Sequence, residues 1–595
     1  MSSTATASTA ERPATPDGFV KITEGEATIL FPSSDEVFYN PVQVFNRDLS
    51  TCVITAFAEQ YLNERSEKAR KKLVRRLGEQ KSDEPAANAA KGSDTDTSTA
   101  TPTKPSSSSS SSSTTTATTT TTTAAAPPDA SSSTFLQEHA AEHPRLAAWR
   151  GPQDAGFDRS EHGISVLEAL AASGLRSIRY HKEIPTISRI VCNDFSEEAV
   201  QSIRRNVDYN HLDPHHHVIP NHGDACMVMH EHRSKGSKFD VVDLDPYGSA
   251  SPFLDAAVQS VSSGGLLCIT CTDMAVLCGN YPETCFAKYG SMPAKRQHCH
   301  EMGVRTLLAL TSRLATRYGR YIHPLLSCSI DFYCRVFVRV FDGAAKAKEA
   351  STKMCQVFQC TGCQSFHVAP LGRTASTKKG GTKYTPGHAL DIGSHCADCG
   401  RIYHMGGPFW SAPMHDGEFI SKCLDHMSSN KGKYATETRM KGMLSLCKEE
   451  LPTPLYYTVS GMASILHCQC PPHSDIRSAI VNAGYEVSPT HCTAQGIKTT
   501  APPHVMWDIY RTWVRKNPVS EKVLSKDSPA SKILKGAPTT EIDFTYNKAA
   551  QPRSKLDGLV RYPENPAPNW GPKARAGKRR PEEPKTASKR ADHSS

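Results

Sequence analysis

Between Ile164 and Thr270 five short apolar runs recur with helical stretches between them. This alternation constrains the fold more than any other feature of the chain. The runs are Ile164–Leu170, Ile187–Asp194, Val218–Asp224, Phe239–Asp245 and Gly265–Thr270, and Ser196–Asn210 reads as one of the intervening helices. Strands alternating with helices argue an α/β fold with a mostly parallel, doubly wound sheet. Cys334–Phe341 alternates in part and suits a last sheet strand, which places the end of this domain near residue 345. Upstream, Ala27–Phe31 reads as a strand. Asp48–Tyr61 reads as a helix, with Asp48 or Ser50 as its cap.

The ends of these runs carry the chemistry, because a doubly wound sheet binds ligands outside the carboxyl ends of its strands. The first run leads through Glu168 and the small residues Ala171, Ala172 and Ser173 to Gly174. The second ends in Asp194, an acid placed to take ribose hydroxyls, and the third gives Gly223-Asp224-Ala225, suited to an adenine edge. The fourth gives Asp245-Pro246-Tyr247-Gly248. Neither GxGxxG nor GxxxxGK[ST] occurs, which disfavours a dinucleotide or triphosphate held by a Gly-rich loop. Acids at successive strand ends without a phosphate loop fit a nucleoside ligand lacking phosphate, namely S-adenosylmethionine.

The Asp245-Pro-Tyr-Gly segment is similar to the [Asp/Asn]-Pro-Pro-[Tyr/Phe] motif of amino-group methyltransferases, without its second proline. An exocyclic base amine is a poor nucleophile because its lone pair is delocalised into the ring. A carboxylate and the Pro246 carbonyl can accept its hydrogens and orient the nitrogen, while Tyr247 stacks on the base. With a sulfonium as leaving group, positioning and charge stabilisation supply most of the catalysis.

Other parts of the chain read differently. Ser82–Ser133 is mostly Ser, Thr, Ala and Pro, reads as a disordered insertion, and helps explain a hydrophobic content of only 38 %. Twenty cysteines without a secretory signal point to a reducing compartment, and the Ser/Thr-rich N-terminus is at most a weak organelle-targeting segment. No apolar run is long enough to cross a membrane. The formal charge of +9 is concentrated in Glu64–Lys81 and Gly571–Ser595, each at +5, and the remainder is at −1. These segments suit phosphate backbones and, for Lys578–Arg580 with Lys589-Arg590, nuclear import. Substrate recognition elsewhere is expected from local patches such as Lys295, Arg296, Arg313, Arg317 and Arg320.

Cys360-x-x-Cys363 and Cys396-x-x-Cys399, 32 residues apart, form a pair of knuckles suited to a structural zinc ion. Cys468, Cys470 and His395 are expected to stand outside it. Lys516–Lys535 is polar and reads as loop.

Together Phe38–Pro41, Phe45–Leu49, Ser173–Arg179, Asn193-Asp194, Asp243–Gly248 and Cys271–Asp273 resemble the eukaryotic and archaeal tRNA (guanine26-N2)-dimethyltransferases. Further similarity lies in Ser488–His491, Ile497–Thr500 and Asn565–Pro572, with Pro489 and Thr500 departing from the family pattern. The resemblance implies transfer of two methyl groups from S-adenosylmethionine to N2 of guanine 26 in tRNA. It implies a Rossmann-like class I methyltransferase domain followed by an α+β tRNA-binding domain with the four-Cys zinc site. By position it gives Arg47 and Arg176 to the donor, Asp194 to its ribose, and Asp224 with Ala225 to its adenine. Asp245 becomes the catalytic carboxylate, with Pro246 beside it, and Phe38 and Tyr247 sandwich the guanine. The expected organisation is an N-terminal part of the methyltransferase domain over 19–62, a basic helix and disordered insertion over 63–145, and the methyltransferase core over 146–345. The tRNA-binding domain follows over 346–572, then a disordered basic tail over 573–595. The protein is expected to be monomeric and nuclear, with a cytoplasmic or mitochondrial pool as the alternative. Two rivals stay open at this point: a zinc-containing RNA-binding protein that has lost catalysis, and a methyltransferase acting on adenine N6 or a protein amine.

Overall fold

The computed structural model describes residues 15–33, 39–82, 158–525 and 527–563. Phe38, most of the insertion, Asn565–Pro572 and the basic tail therefore lie outside the described residues. The described residues up to Tyr61 and from Asp158 onward form one compact unit. Residues 62–157, described only to Ser82, form a second.

The chain opens with an antiparallel hairpin, β1 (Phe19–Glu24) and β2 (Ala27–Pro32). Amide side chains dock its outer edge: the Thr28 and Leu30 N–H groups donate to Asn210 and Asn206 at 3.1 and 2.9 Å. A short 3₁₀ turn capped by the Asn40 side chain leads into α1 (Val44–Ser82). The helix thus starts ahead of the expected position, and Asp48 and Ser50 sit inside it rather than capping it. Asp48 instead accepts from Arg179 and Thr436, and the Ser50 hydroxyl donates to the Asn46 carbonyl. The basic stretch Glu64–Lys81 continues the same helix.

Beyond Asp158 come β3 (Ile164–Glu168), α2 (Leu175–Glu183), β4 (Ile187–Asp194), α3 (Glu197–Tyr209) and β5 (Val218–His222). Then follow α4 (Ala225–Glu231), β6 (Phe239–Leu244), α5 (Leu254–Ser260) and β7 (Val261–Cys271). After the short helices α6 (Met274–Leu277) and α7 (Pro282–Tyr289), the long α8 (Cys299–Arg317) leads into β8 (Arg320–Ile330) and β9 (Tyr333–Asp342). The seven strands form one sheet in the order β5-β4-β3-β6-β7-β9-β8. The first five are parallel, and β9 runs antiparallel to both β7 and β8. The chain reverses its direction of strand addition between β3 and β6, which makes their carboxyl ends the switch point where ligands bind. The strand expected as the sheet's last is β9, the last of the seven in chain order, and β8 covers its outer edge.

The core continues into the C-terminal region: Met354, Trp410 and Met414 pack in the same buried cluster as Val336, Val338 and Leu307. Strands β10 (Met354–Cys360), β11 (Phe366–Pro370) and β14 (Tyr403–Trp410) form a small sheet, and β12 (Gly372–Ser376) pairs with β13 (Thr382–Pro386). Helices α9 (Gly417–Ser429) and α10 (Glu437–Glu449) precede a third small sheet of β15 (Tyr457–Thr458), β16 (Val487–Thr490) and β17 (Thr493–Thr499). The stretch expected as loop holds two short helices, Glu521–Ser525 and Pro529–Lys535. Ala530 and Ile533 of the second are buried, which is why that segment orders despite its polar composition. No described helix is long and apolar enough to cross a membrane.

Candidate active site and four-thiol cluster

A cleft of about 330 Å³ opens at the carboxyl ends of β3, β4 and β6. Its lining brings together Arg47, Arg176, Asp194, Asp245, Pro246 and Tyr247, six of the residues singled out from the sequence. Tyr39, Gln43, Phe195 and Thr272 also line it.

The wall made by the β3–α2 turn depends on unusual backbone. Ala172 and Gly174 hold φ of 50° and 76°. A Cβ at Gly174 would stand 3.3 Å from Ile203, so glycine serves both the left-handed conformation and the close packing of α3. The Ala172 N–H donates to Asp194 Oδ2 at 2.8 Å, and the Ser196 N–H to Oδ1 at 3.0 Å. Asp194 is thereby aimed by two strand ends at once. Phe195, directly after it, is 76 % exposed on the cleft wall. Nothing in hydropathy marks Phe195; adjacency to the strand-end acid is the signal that finds it. Asp224 caps α4 through the Met227 N–H, and Ala225 is buried. Neither contributes to the cleft lining.

The floor is a buried charge network. Arg176 donates to Asp245 Oδ2 through a short contact, lies 3.6 Å from Glu168 and 3.8 Å from Asp243, and reaches Ser50. Arg335 is fully buried and pairs with Asp243 at 2.7 Å. Burial pushes the Glu168 carboxyl up to about 8 in spite of Arg176, so it is mostly protonated at neutral pH. Two guanidinium groups then face two carboxylates, Asp243 and Asp245. Asp243 is also buried, yet Arg335 and Arg176 hold it below the usual carboxylate range. Asn46, fully buried in α1, adds a donor 3.4 Å from Asp245 Oδ2. The motif containing Arg47 also contains Asn46, but only the fold brings α1 against β6.

Arg47 lines the cleft while its guanidinium forms a fork with Glu24, Nε to Oε1 at 2.6 Å. Beyond Asp245, Tyr247 is 57 % exposed. Gly248 takes φ of 77°, and its N–H and carbonyl both bind Thr272 at 2.8 Å, which ties the Asp-Pro-Tyr loop to the end of β7.

The four sequence-matched cysteines converge at the end of β10. Their sulfurs lie within 4.8 Å of one another, with Cys360–Cys399 at 3.3 Å and Cys363–Cys396 at 3.7 Å. The N–H groups of Gly362 and Cys363 point at Cys360 Sγ, and all four residues are buried. The 32-residue spacer is accounted for by β11 and the β12–β13 hairpin, whose tip is the Lys-rich turn. Cys468, Cys470 and His395 stand outside the cluster.

The fold decides which basic residues of the C-terminal region and of the expected patch are exposed. Lys498, in the Ile497–Thr500 segment, is fully buried between Glu301 and Glu450, and His491 is buried against Glu450 at 2.6 Å. These residues join α8, α10 and β17 from within. Of the expected basic patch, Arg320 is buried against Asp342 and Arg313 donates to the Tyr289 carbonyl, so Lys295 and Arg317 are its exposed members.

Residues 18–511 match the family model described as N2,N2-dimethylguanosine tRNA methyltransferase. The mouse and human proteins named tRNA (guanine(26)-N(2))-dimethyltransferase are each 42 % identical to the chain. The alignments cover 95 % and 93 % of it and 78 % and 77 % of those proteins. A Saccharomyces cerevisiae relative with that name and the qualifier "mitochondrial" is 35 % identical over 94 % of the chain and 92 % of its own length. Among solved structures, Trm1 from Pyrococcus horikoshii in complex with S-adenosyl-L-methionine superposes with a TM-score of 0.54 at 25 % identity. That match covers 82 % of this chain and 99 % of the other.

Proposed function

The chain belongs to the N2,N2-dimethylguanosine tRNA methyltransferase family, and we propose that the cleft beside Asp245 is where it carries out that family's reaction. The protein is an S-adenosylmethionine-dependent enzyme that places two methyl groups on N2 of guanine 26 in tRNA. The sheet order supports a Rossmann-like class I methyltransferase core, and residues 346–572 act as the tRNA-binding region.

When bound, S-adenosylmethionine supplies a methyl group on a sulfonium, an electrophile that needs little further activation. The β3–α2 turn and Asp194 hold the donor's ribose end, with Phe195 against its adenine. Asp224 and Ala225 contribute from the end of β5, outside the cleft wall, and Arg47 from the cleft lining. Arg176 serves here as a positioning residue for Asp245: it occupies Oδ2 and leaves Oδ1 to accept a hydrogen from the target amine. The Pro246 carbonyl accepts the second hydrogen. Holding both N–H bonds in place turns the nitrogen lone pair out of the ring and toward the methyl. The N2 proton released on methylation is taken by Asp245 or by water. One N–H remains for the second transfer, and Asp245 can hold it in the same way. Tyr247 stacks on the guanine, with Phe38 on its other face, once the base has left its stack.

The observation that carries this reading is the pairing of Arg176 with Asp245 in a cleft that Asp194 also lines. Purified protein, unmodified tRNA and labelled donor should give N2,N2-dimethylguanosine on nucleoside mass spectrometry, and no label on tRNA with adenine at position 26. Methyladenosine alone, or no methylated nucleoside, would overturn it. The four-thiol cluster fits zinc, since four close thiols cannot all ionise without a cation between them. Zn²⁺ would tie β10 to the Cys396–Cys399 knuckle. The protein acts in the nucleus as a monomer; a fluorescent fusion lacking residues 573–595 that still enters the nucleus would remove the tail from this account.

A further inference from the structure

A second sulfur-nitrogen cluster lies away from the four-thiol site. Cys278, Cys299 and His300 bring two thiols and one ring nitrogen within 4.8 Å of one another. Cys278 closes α6, its N–H bonded to the Met274 carbonyl at 2.7 Å. Cys299 and His300 are the first two residues of α8, a 19-residue helix. The Ser329 hydroxyl lies 3.3 Å from His300 Nδ1.

The chain between these residues explains what the cluster could do. Residues 279–298 leave the end of α6 and return to α8 with only α7 as regular structure. Tyr281 and Phe286 are 55 % and 56 % exposed. Cys285, Tyr289, Ser291 and His298 are buried, and Met292 forms a paired backbone bridge with Gly407 of β14. A crosslink at the base of this excursion closes the loop and removes entropy from the unfolded chain. A third cluster, His415, Cys447 and His491, differs: His491 uses Nδ1 on Glu450 and Nε2 on the Ser329 N–H, and so has no nitrogen to give.

We propose that Cys278, Cys299 and His300 bind a second zinc-type cation, separate from the four-thiol site, which staples residues 279–298 beside the active cleft. Two thiolates and an imidazole select a borderline-soft cation over Mg²⁺ or Ca²⁺, and three protein ligands leave a fourth position for water. The start of α8 favours a thiolate at Cys299 through its helix dipole.

The test is zinc stoichiometry of the full-length protein, purified under reducing conditions and equilibrated with Zn²⁺. Two zinc ions per chain are expected, one after Cys299→Ser, one after Cys360→Ser with Cys396→Ser, and none in the triple variant. Zinc content unchanged by Cys299→Ser overturns the site, as does a Cys278–Cys299 disulfide in reduced preparations. Zinc-edge X-ray absorption on the unmutated protein needs no variant: two sites average about three sulfurs per zinc with nitrogen or oxygen completing the shell, whereas four sulfurs per zinc refutes the proposal. Hydrogen exchange over residues 279–298 should rise in Cys299→Ser while that of β10 stays unchanged; equal protection would remove the staple.

Discussion

Replacing Lys498 with methionine tests whether this lysine is an internal strut or an RNA contact. Its Nζ lies 2.8 Å from Glu301 Oε1 and 3.0 Å from Glu450 Oε1, and all three side chains are essentially inaccessible to water. At about 3 Å and an effective dielectric near 20, each contact is worth about 5–6 kcal/mol before desolvation. Desolvation offsets much of this, and removing one partner of a buried ion pair costs about 3–5 kcal/mol. Methionine keeps the volume, so the loss reflects the charge. Burial alone would raise both carboxyl groups, and Lys498, the largest opposing influence, holds both below the usual range. Carboxyl groups with depressed folded pKa stabilise the parent above their unfolded value near 4.5, and this support fades as pH falls through the folded values. The variant lacks that support, so its deficit should be largest at neutral pH and shrink below about 4.5. Urea unfolding of parent and Lys498→Met across pH measures it. A deficit under about 1 kcal/mol at pH 7, or one independent of pH, would refute the argument. A stably folded Lys498→Met with weakened tRNA affinity would place Lys498 on the RNA surface.

Three further outcomes are expected. Asp245→Ala should lower methyl transfer at least about 10³-fold while tRNA binding by gel shift stays within about twofold, and equal loss of both would contradict its catalytic role. Phe195→Ala should raise the KM for S-adenosylmethionine about fivefold or more with kcat nearly unchanged, from the loss of about 1–3 kcal/mol of stacking, and an unaltered KM would remove Phe195 from the donor site. Glu168→Gln should gain stability on the parent as pH rises from about 5 to about 8. The parent's raised carboxyl pKa makes it lose stability across that window, whereas glutamine has no proton to lose, and parallel pH profiles would show that Glu168 is ionised in the fold.

Much of the site was legible in the sequence because strand-end chemistry is local. Asp194, Asp245 and Tyr247 stand at positions set by the period of the apolar runs, and the four-Cys pattern needs only its two tight knuckles. Arg176 is the instructive partial case. Its place at the donor site came from the family resemblance, but its pairing with Asp245 depends on β6 lying next to β3. The contacts of Asn46 with Asp245 and of Ser50 with Arg176 were not legible because α1 reaches the site across the Ser/Thr-rich insertion, from 199 and 126 residues upstream.

The sequence by itself determined the alternation of strands and helices, the acids at the strand ends, the thiol set and the class of reaction. These rest on periodicity and on residue type at short spacing. Tertiary structure alone decided which charges are paired and which are exposed. Lys498 and Arg320 have the composition of an RNA-binding surface, and the fold buries both against carboxylates. Glu168 has the composition of an ionised acid, and burial keeps its proton on. The reason is that ionisation and pairing depend on the local dielectric and on neighbours within a few ångströms, and those neighbours come from segments tens to hundreds of residues away.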